Sequence, residues 1–323
     1  MNQKHISELE QAIQSDYNNI AGIVILKDGK PLYENYFNEC TGKAHIHVFS
    51  VTKSIISILV GIAIDKGYIK NVNQNVLEFF PDYTIKRGEK TIQSITIENM
   101  LTMTAPYKYK SAPYTKYFTS DDWVKAALDL LGGKGRIGDF RYTPLIGPDI
   151  LSGILVEAAG QSVLSFATTH LFSPLGITVR DNIIFRDKEE QFAFLKAKNI
   201  SGWVADPKGT NTAGWGLTMT AMDMAKIGQL CLDNGKYGGK QIVSDKWIKE
   251  SIKEHTIWKE LGLPYGYLWW PEIGNGYAAM GDSGNMIYVN AKKNLVVSIA
   301  SLYKPTAKDR IKLVVDYIET MLD

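Results

Sequence analysis

A serine and a lysine three residues apart, Ser50 and Lys53, are the pair in this sequence best placed to do chemistry. The apolar run after them continues to Lys66-Gly67 without a proline, which predicts a buried helix ended by a glycine. With Ser50 at the first turn, the Lys53 ammonium lies within reach of the hydroxyl. A lysine whose pKa is lowered by burial can take the proton of a serine and make it a nucleophile. The spacing alone leaves open a helix-capping serine and a solvated lysine.

A second copy of the same spacing shows why context matters. Ser301 and Lys304 are also three residues apart, but they lie at the end of a segment that reads as a strand. Positions i and i+3 of a strand point to opposite faces, so this pair is predicted to be structural.

The composition limits the classes of function. The chain has 323 residues, 45% hydrophobic and 22% charged, which is typical of a globular protein with a large core. A net charge of +2 gives no reason to expect nucleic acid or an anionic membrane as partner. Cys40 and Cys231 lie far apart and show no metal-ligand spacing. The pair His45 and His47 resembles half a metal site, but no further ligand cluster supports it, and a polar strand face is the favoured interpretation.

The location is predicted from two segments. The N-terminal segment has an amphipathic helix pattern without the apolar centre of a signal peptide. The apolar run from Ile55 to Ile64 is too short to span a bilayer. We therefore expect a cytoplasmic protein that does not enter a membrane and that requires no metal or organic cofactor.

The order of elements predicts an α/β fold. Residues 20–37 read as a hairpin with Asp28-Gly29 as its turn, and Thr220 with Asp223 reads as a capping box that opens the helix Met222 to Leu232. A last amphipathic helix is predicted from Asp309 to Leu322. Strand patterns are seen at Tyr265–Trp270, Gly276–Met280, Met286–Asn290 and Leu295–Leu302. Strands at both ends with helices between them indicate one antiparallel sheet, flanked by N- and C-terminal helices, in a domain of residues 1–70 and 216–323. Residues 71–215 are predicted to form an inserted, mostly helical domain.

Several segments, in this order and at these distances, resemble one family over nearly the whole chain. They are Phe49-Ser-Val-Thr-Lys53-Ser, Thr96-Ile-Glu-Asn-Met-Leu-Thr-Met-Thr104, Ser173-Pro-Leu-Gly-Ile177, Gly214-Trp-Gly-Leu-Thr, Asn234-Gly-Lys-Tyr-Gly-Gly-Lys240, Tyr265-Gly-Tyr-Leu-Trp-Trp270 and Gly281-Asp-Ser-Gly-Asn285. Together they resemble the serine β-lactamases, the penicillin-binding proteins and the related esterases and amidases. The resemblance implies a β-lactamase/transpeptidase-like fold with Ser50 as nucleophile and Lys53 as its base.

The second motif of that superfamily, Tyr-x-Asn or Tyr-Ser-x, is matched by position at Tyr142. Its third residue here is Pro144, which removes an amide that would bind Lys53 or a substrate amide. As the resemblance implies a proton relay, we expect Tyr142 to be shifted toward phenolate and to act with Lys53.

The third motif, Lys-Thr-Gly or His-x-Gly, is matched by Ala279-Met280-Gly281 and lacks the cation that binds a carboxylate in the family. Both departures point away from β-lactams. The strand end at Gly281, Asp282 and Ser283 is expected to supply oxyanion N–H groups with Ser50. The match of Gly281-Asp-Ser-Gly284 to a trypsin-like nucleophile segment is rejected, because the helix-rich pattern and the scattered histidines do not support it.

The sequence thus predicts a serine hydrolase that cleaves an ester or amide through an acyl-enzyme on Ser50. The substrate is expected to be a small-molecule ester, amide or peptide. A true β-lactamase, a D-alanyl-D-alanine peptidase and a non-catalytic penicillin-binding sensor are the alternatives. The acyl group, the leaving group and the oligomeric state are left open.

Overall fold

The computed structural model describes residues 3–322 and has one central antiparallel sheet of six strands in the order β11-β12-β13-β14-β1-β2. Four further strand pairs are short. The strands are β1 Ile20–Lys27, β2 Lys30–Tyr36, β3 Ile46–His47, β4 Asp181–Ile183, β5 Gly202–Val204, β6 Thr218–Met219, β7 Lys236–Tyr237, β8 Lys240–Gln241, β9 Thr256–Trp258, β10 Leu263–Tyr265, β11 Trp270–Ile273, β12 Gly276–Gly281, β13 Asn285–Asn290 and β14 Leu295–Ser301.

The helices lie on both sides of this sheet and in the middle of the chain. The α-helices are α1 Gln3–Asp16, α2 Val51–Asp65, α3 Ile97–Leu101, α4 Tyr114–Phe118, α5 Trp123–Leu130, α6 Asp149–Ala159, α7 Val163–Ala167, α8 Lys188–Lys196, α9 Ala221–Leu232, α10 Asp245–Ser251 and α11 Arg310–Leu313. Turns of 3-10 helix lie at Val76–Phe79, Thr91–Ser94, Ser173–Leu175, Asp282–Gly284, Ala291–Lys293 and Glu319–Met321, and π-helical turns at Thr168–Phe172 and Val314–Ile318.

The sheet joins the two ends of the chain, as predicted. β1 pairs antiparallel with β14, and the hairpin turn at Asp28 and Gly29 has positive φ at both residues, 52° and 72°. That geometry matches the right-handed twist of the flanking strands. The predicted α/β class with an antiparallel sheet is confirmed.

Alternate residues of β13 face different helices and so define the layers. An ideal Cβ on Gly228 of α9 would lie 2.9 Å from Ile287, so this side of the strand faces α9. The neighbouring Tyr288 donates a hydrogen bond of 2.8 Å to Glu319, on the turn that follows α11. Because adjacent strand residues point to opposite faces, helices cover the sheet on both sides.

Helix α2 runs through the core. Every residue from Val51 to Ala63 is buried. The helix ends at Asp65 with Lys66 as its C-cap, followed by Gly67 with φ 77°. A helix that is apolar all round and has no solvated face fits such a central position. Its predicted glycine end is confirmed, and its N-terminal end presents Ser50 beside β12.

One predicted strand is wrong. The chain between Tyr265, which ends β10, and Trp270, which begins β11, makes a turn. Leu268 has φ 60°, its N–H donates to the carbonyl of Leu101, and its own carbonyl accepts from Ser54 Oγ at 2.7 Å. The apolar residues here pack singly into the core, while their backbone bonds go to helical elements instead of a neighbouring strand.

Two predicted helices are confirmed with small changes. α9 begins after Thr220, whose side chain accepts from the N–H of Asp223 in a capping box. The last helix runs from Arg310 to Met321 and changes pitch through a π-helical turn.

Residues 71–215 contain no strand of the six-stranded sheet, and the division of the chain into domains of 1–70 with 216–323 and 71–215 remains a prediction. Within residues 3–322, no single helix has the length and apolar character needed to cross a membrane. A pair bent by 74°, Asp149–Ala159 and Val163–Leu175, meets that test by length and composition.

Candidate active site

Ser50 lies at the junction between a short strand and helix α2. β3 pairs with β6, and the N–H of Val48 donates to the carbonyl of Leu217, which fixes the chain just before the serine. The intervening residue, Phe49, has φ 49°, a conformation that is costly for a bulky side chain. Ser50 itself makes no side-chain capping bond to the helix. Its hydroxyl is therefore free for another role than capping.

Lys53 lies one turn further along and points back at the serine. Its Nζ is 2.7 Å from Ser50 Oγ and 2.8 Å from the carbonyl oxygen of Gly214. The side chain is 2% exposed, and burial lowers the pKa of Lys53 to about 7, although the carboxylates of Asp282 and Asp149 act to raise it. A neutral amine that contacts a serine hydroxyl can accept its proton near neutral pH.

Tyr142 lies beside this pair. The Lys53 Nζ is 5.5 Å from the centre of the Tyr142 ring, and the phenol interacts with the side chain of Ser50. Burial raises the pKa of Tyr142 to about 12, against the lowering effect of Ser50, while Asp282 raises it further. The expected shift toward phenolate is wrong, because desolvation of the ring outweighs its polar neighbours. At neutral pH Tyr142 is a phenol that can donate a proton or a hydrogen bond.

The end of β12 lies against the backbone of Ser50. An ideal Cβ on Gly281 would lie 3.1 Å from Ser50 N and only 2.4 Å from the carbonyl oxygen of Val48, so a side chain at 281 would collide with backbone. Gly281 has an extended φ of −129°, so the close approach is what requires glycine here. Asp282 follows with an exposed side chain.

Ser283 turns its side chain away from this edge. Its Oγ donates to the carbonyl oxygen of Lys304 at 3.1 Å and accepts from the Lys304 N–H at 3.0 Å, and its φ is 64°. The carbonyl of Ser283 accepts from Asn19 Nδ2 at 2.8 Å. The hydroxyl therefore braces the loop after β12, in agreement with its rejection as a nucleophile.

Pro144 and Ala279, the two residues that depart from the superfamily motifs, both lie near the site. Pro144 lies two residues after Tyr142 and offers no amide side chain to Lys53, whose Nζ contacts the Gly214 carbonyl. Ala279 is fully buried on β12, two residues before Gly281 on the same face of the strand. A lysine or histidine at 279 would put a larger, polar side chain at a position without exposed surface.

Aromatic rings flank the Ser50 region on two sides. Tyr142 stacks on Trp258 with ring centres 5.3 Å apart, and Trp270 is 6.1 Å from Tyr142. On the other side, Phe49 stacks on the exposed Tyr303 at 6.2 Å. Trp270 thus belongs to the Tyr142 wall, whereas Trp269 is core and Tyr117 is buried against Asp149.

Two groups that touch the site were not assigned from the sequence. The Gly214 carbonyl accepts from Lys53, and Asp149 Oδ1 in turn accepts from the N–H of Ala213 at 2.7 Å and from that of Gly214 at 3.4 Å. Gly214 lay in a recognised segment, but a backbone carbonyl leaves no residue-type signal. Asp149 could have been found as the lone acid on the otherwise apolar first turns of α6, yet an acid is also common at a helix start.

The histidine pair is split by the fold. His47 is buried, its Nε2 accepts from the N–H of Gly216 at 2.9 Å, and burial lowers its pKa to about 3. The predicted polar strand face is thus wrong at His47, which braces the segment after Gly214 as a neutral ring. Across residues 3–322, no group of three or more His, Cys, Asp or Glu side chains could hold a metal ion.

Comparisons of sequence and of structure find relatives of this chain. A family model described as Beta-lactamase matches residues 9–316. The 6-aminohexanoate-dimer hydrolase of Paenarthrobacter ureafaciens is 23% identical over 259 residues, which cover 76% of this chain and 60% of that protein.

Solved structures show the same fold at low identity. A putative β-lactamase from Bacteroides dorei superposes with a TM-score of 0.76 at 17% identity, over 99% of this chain and 98% of the other. A family VIII carboxylesterase superposes with a TM-score of 0.70 at 14% identity, over 98% and 97%. These likenesses confirm the predicted fold.

Proposed function

This chain belongs to the β-lactamase family, and from that premise we propose that it is a serine hydrolase of esters or amides whose acyl-enzyme forms on Ser50. One observation carries the proposal. The amine of Lys53, buried and with its pKa lowered to about 7, lies 2.7 Å from the Ser50 hydroxyl. A lysine with only a structural role is rarely buried, and Ser50, which it contacts, has no role as a helix cap.

The steps follow from this contact. Lys53 takes the Ser50 proton as Oγ bonds to the substrate carbonyl, and the N–H groups of Ser50 and of the strand end 281–283 hold the oxyanion. The leaving group departs with a proton from Lys53, delivered with Tyr142 as hydrogen-bond donor. Water then gives a proton to Lys53 and bonds to the acyl carbon. The bond from that carbon to Ser50 Oγ breaks, Oγ takes the proton back from Lys53, and the acid is released.

The charge around the site supports a substrate without a carboxylate beside the scissile bond. The charged groups that act most on Lys53 are the carboxylates Asp282 and Asp149. The position at which the family places a cation holds the buried Ala279. A substrate carboxylate would therefore meet the repulsion of these carboxylates without a cation at position 279, which disfavours β-lactams and peptides with a nearby C-terminus.

The relatives favour the same class. The names of a 6-aminohexanoate-dimer hydrolase, a relative by sequence, and of a carboxylesterase with this fold describe amide and ester cleavage. This chain spans 60% of the length of the first of these, so its substrate does not transfer directly. We propose short-chain esters or linear amides as substrates.

Profiling of the purified protein tests this proposal. We expect p-nitrophenyl esters of short acids to be cleaved, short amide oligomers to be cleaved more slowly, and nitrocefin to be a poor substrate. Efficient nitrocefin turnover with poor ester cleavage would replace the proposal with the β-lactamase alternative. Acylation by a penicillin without turnover of any substrate would favour the sensor.

Tyr142→Phe is expected to lower kcat by roughly 10²-fold, because a positioned proton donor is lost. The acid limb of the pH profile should keep its midpoint, which the pKa of Lys53 sets, since Tyr142 is already protonated at neutral pH. Steady-state kinetics from pH 5 to 10 measure both effects. Tyr277→Phe, at the opposite end of β12 from Gly281, is the matched control and should keep the wild-type rate. A Tyr142→Phe enzyme as fast as wild type on every ester would make this tyrosine structural.

Substrate charge gives a further prediction. For esters with equally long neutral, ammonium or carboxylate tails, the carboxylate ester should have the lowest kcat/KM. Asp282→Asn should reduce the preference for ammonium over carboxylate by about twofold to fivefold, the effect of one exposed charge. Added salt should reduce it similarly. Glu8→Gln, which neutralises an exposed carboxylate paired with Lys4 on α1, is the control. An unchanged preference in Asp282→Asn would exclude this carboxylate from substrate selection.

A further inference from the structure

A buried carboxylate lies directly behind the Ser50–Lys53 pair. Asp149, 2% exposed at the start of α6, accepts a hydrogen bond of 2.5 Å from the hydroxyl of Tyr117. Its other oxygen accepts from the N–H groups of Ala213 and Gly214, at 2.7 and 3.4 Å. Desolvation makes such a buried carboxylate costly, and three donors on two separate segments offset part of that cost.

Through Gly214, these contacts connect Asp149 to the side chains of Lys53 and Ser50. The Gly214 residue whose N–H points to Asp149 also presents its carbonyl to Lys53 Nζ at 2.8 Å and to Ser50 Oγ at 3.5 Å. The peptide segment at 213–214 is therefore clamped on one side by the carboxylate and contacts the amine on the other. An ideal Cβ on Gly214 would lie 2.6 Å from the carbonyl oxygen of Pro144, so the segment has little room to move.

We propose that Asp149 is a positioning residue that holds the Gly214 carbonyl in place and thereby aims the amine of Lys53 at the Ser50 hydroxyl. The inference rests on the proposed role of Lys53 as base. In this proposal the Gly214 carbonyl orients the Lys53 amine, a role that an amide side chain at position 144 would otherwise have. Asp149 touches no reacting atom and acts through Gly214.

The charge of Asp149 gives this role a pH signature. The groups facing it are Tyr117 from α4, Asp206 after β5 and Lys53 from α2, while Lys53 also faces Asp282 and Tyr142. Burial raises the pKa of Asp149 to about 6, with Tyr117 and the two N–H groups opposing that rise. Its negative charge raises the pKa of Lys53. Removing the charge alone must lower that pKa and let the amine become neutral at lower pH.

Asp149→Asn and Asp149→Ala separate charge from position. Asparagine keeps an oxygen for the N–H groups of residues 213 and 214 but loses the charge. We expect its kcat/KM for an ester to rise with pH along an acid limb displaced to lower pH, with the plateau retained. Alanine removes both, and its kcat should fall by up to roughly 10²-fold, as expected for misplaced reacting groups. The change should fall on kcat more than on KM.

Two more variants keep the test decisive. Tyr117→Phe removes a donor that favours the ionised carboxylate, so its acid limb should lie between those of wild type and Asp149→Asn. If neither Asp149 variant folds, Tyr117→Phe alone still tests the inference. Ser152→Ala, one turn along α6, deletes a buried hydroxyl that has no hydrogen-bond partner among the described residues and should leave the limb unmoved.

Acid limbs that coincide in wild type, Tyr117→Phe and every folded Asp149 variant would overturn the inference, as would a full kcat in a folded Asp149→Ala. Labelling of wild-type Ser50 by a fluorophosphonate, followed by mass spectrometry, tests the proposed function separately. A labelled, active wild type with coincident limbs rejects only the role of Asp149. An unlabelled and inactive wild type rejects the hydrolase proposal itself, and this inference with it.

Discussion

Ser50→Ala is expected to abolish turnover of every substrate that the wild type cleaves, to the background rate of the assay. The variant loses only the oxygen that lies 2.7 Å from Lys53 Nζ. Since Ser50 makes no capping bond, the free energy of unfolding should change by less than about 1 kcal/mol. Activity assays, thermal unfolding and fluorophosphonate labelling measure the three properties.

Ser57→Ala is the matched control for Ser50→Ala. Ser57 lies on the same helix, is fully buried, and its hydroxyl has no hydrogen-bond partner among residues 3–322. It should retain full activity and labelling. A probe that still labels Ser50→Ala, for example at Ser283, would show that the nucleophile is another serine and would remove the basis of the proposed mechanism.

The local part of the site could be predicted from the sequence because it depends on helix geometry alone. Ser50 and Lys53 are three residues apart on one helix, and an unbroken apolar run implies burial. The glycine at 281 was likewise recognisable, because only a close backbone approach or a turn requires it. The sheet followed from strand patterns at both ends of the chain.

The remaining contacts depend on the fold as a whole. The Lys53–Gly214 bond joins residues 161 apart, and the Asp149–Ala213 bond joins residues 64 apart. No pattern in the sequence specifies which carbonyl meets the lysine. The stacking of Trp258 on Tyr142 was also unforeseen, since it brings together strand β9 and the loop before α6, which are distant in the chain.

The state of Tyr142 shows a second limit of sequence reasoning. Its neighbours could be named, but the depth of burial sets which effect dominates its pKa. The same desolvation acts in opposite directions on the two residues: it keeps the phenol protonated and makes the amine of Lys53 easier to deprotonate. This difference favours Lys53 as the base in the proposed mechanism and Tyr142 as a hydrogen-bond donor.

Lys53→Met is expected to lower kcat/KM by roughly 10²–10⁴-fold, the range for a removed general base. In the wild type, kcat/KM should rise with pH through about 7, as Lys53 loses its proton. Methionine fills similar volume without a titrating group, so the residual activity should lack that limb. Steady-state kinetics across the pH range check both points. A Lys53→Met enzyme with the wild-type acid limb would assign the base to another residue.

The same substitution should stabilise the fold, and this stabilisation should depend on pH. The pKa of Lys53 falls from an ordinary value near 10.5 to about 7 on folding, so the unfolded chain binds more protons between these values. The free energy of unfolding of the wild type therefore gains a contribution that rises with pH across this window. Below pH 7 the buried amine costs the fold up to roughly 5 kcal/mol, an upper limit from that shift. Lys53→Met should thus melt higher than wild type at pH 7, and the difference should shrink toward pH 10. Equal melting temperatures at both pH values would mean that the amine is not desolvated, and a lysine with an ordinary pKa could not serve as the base at neutral pH.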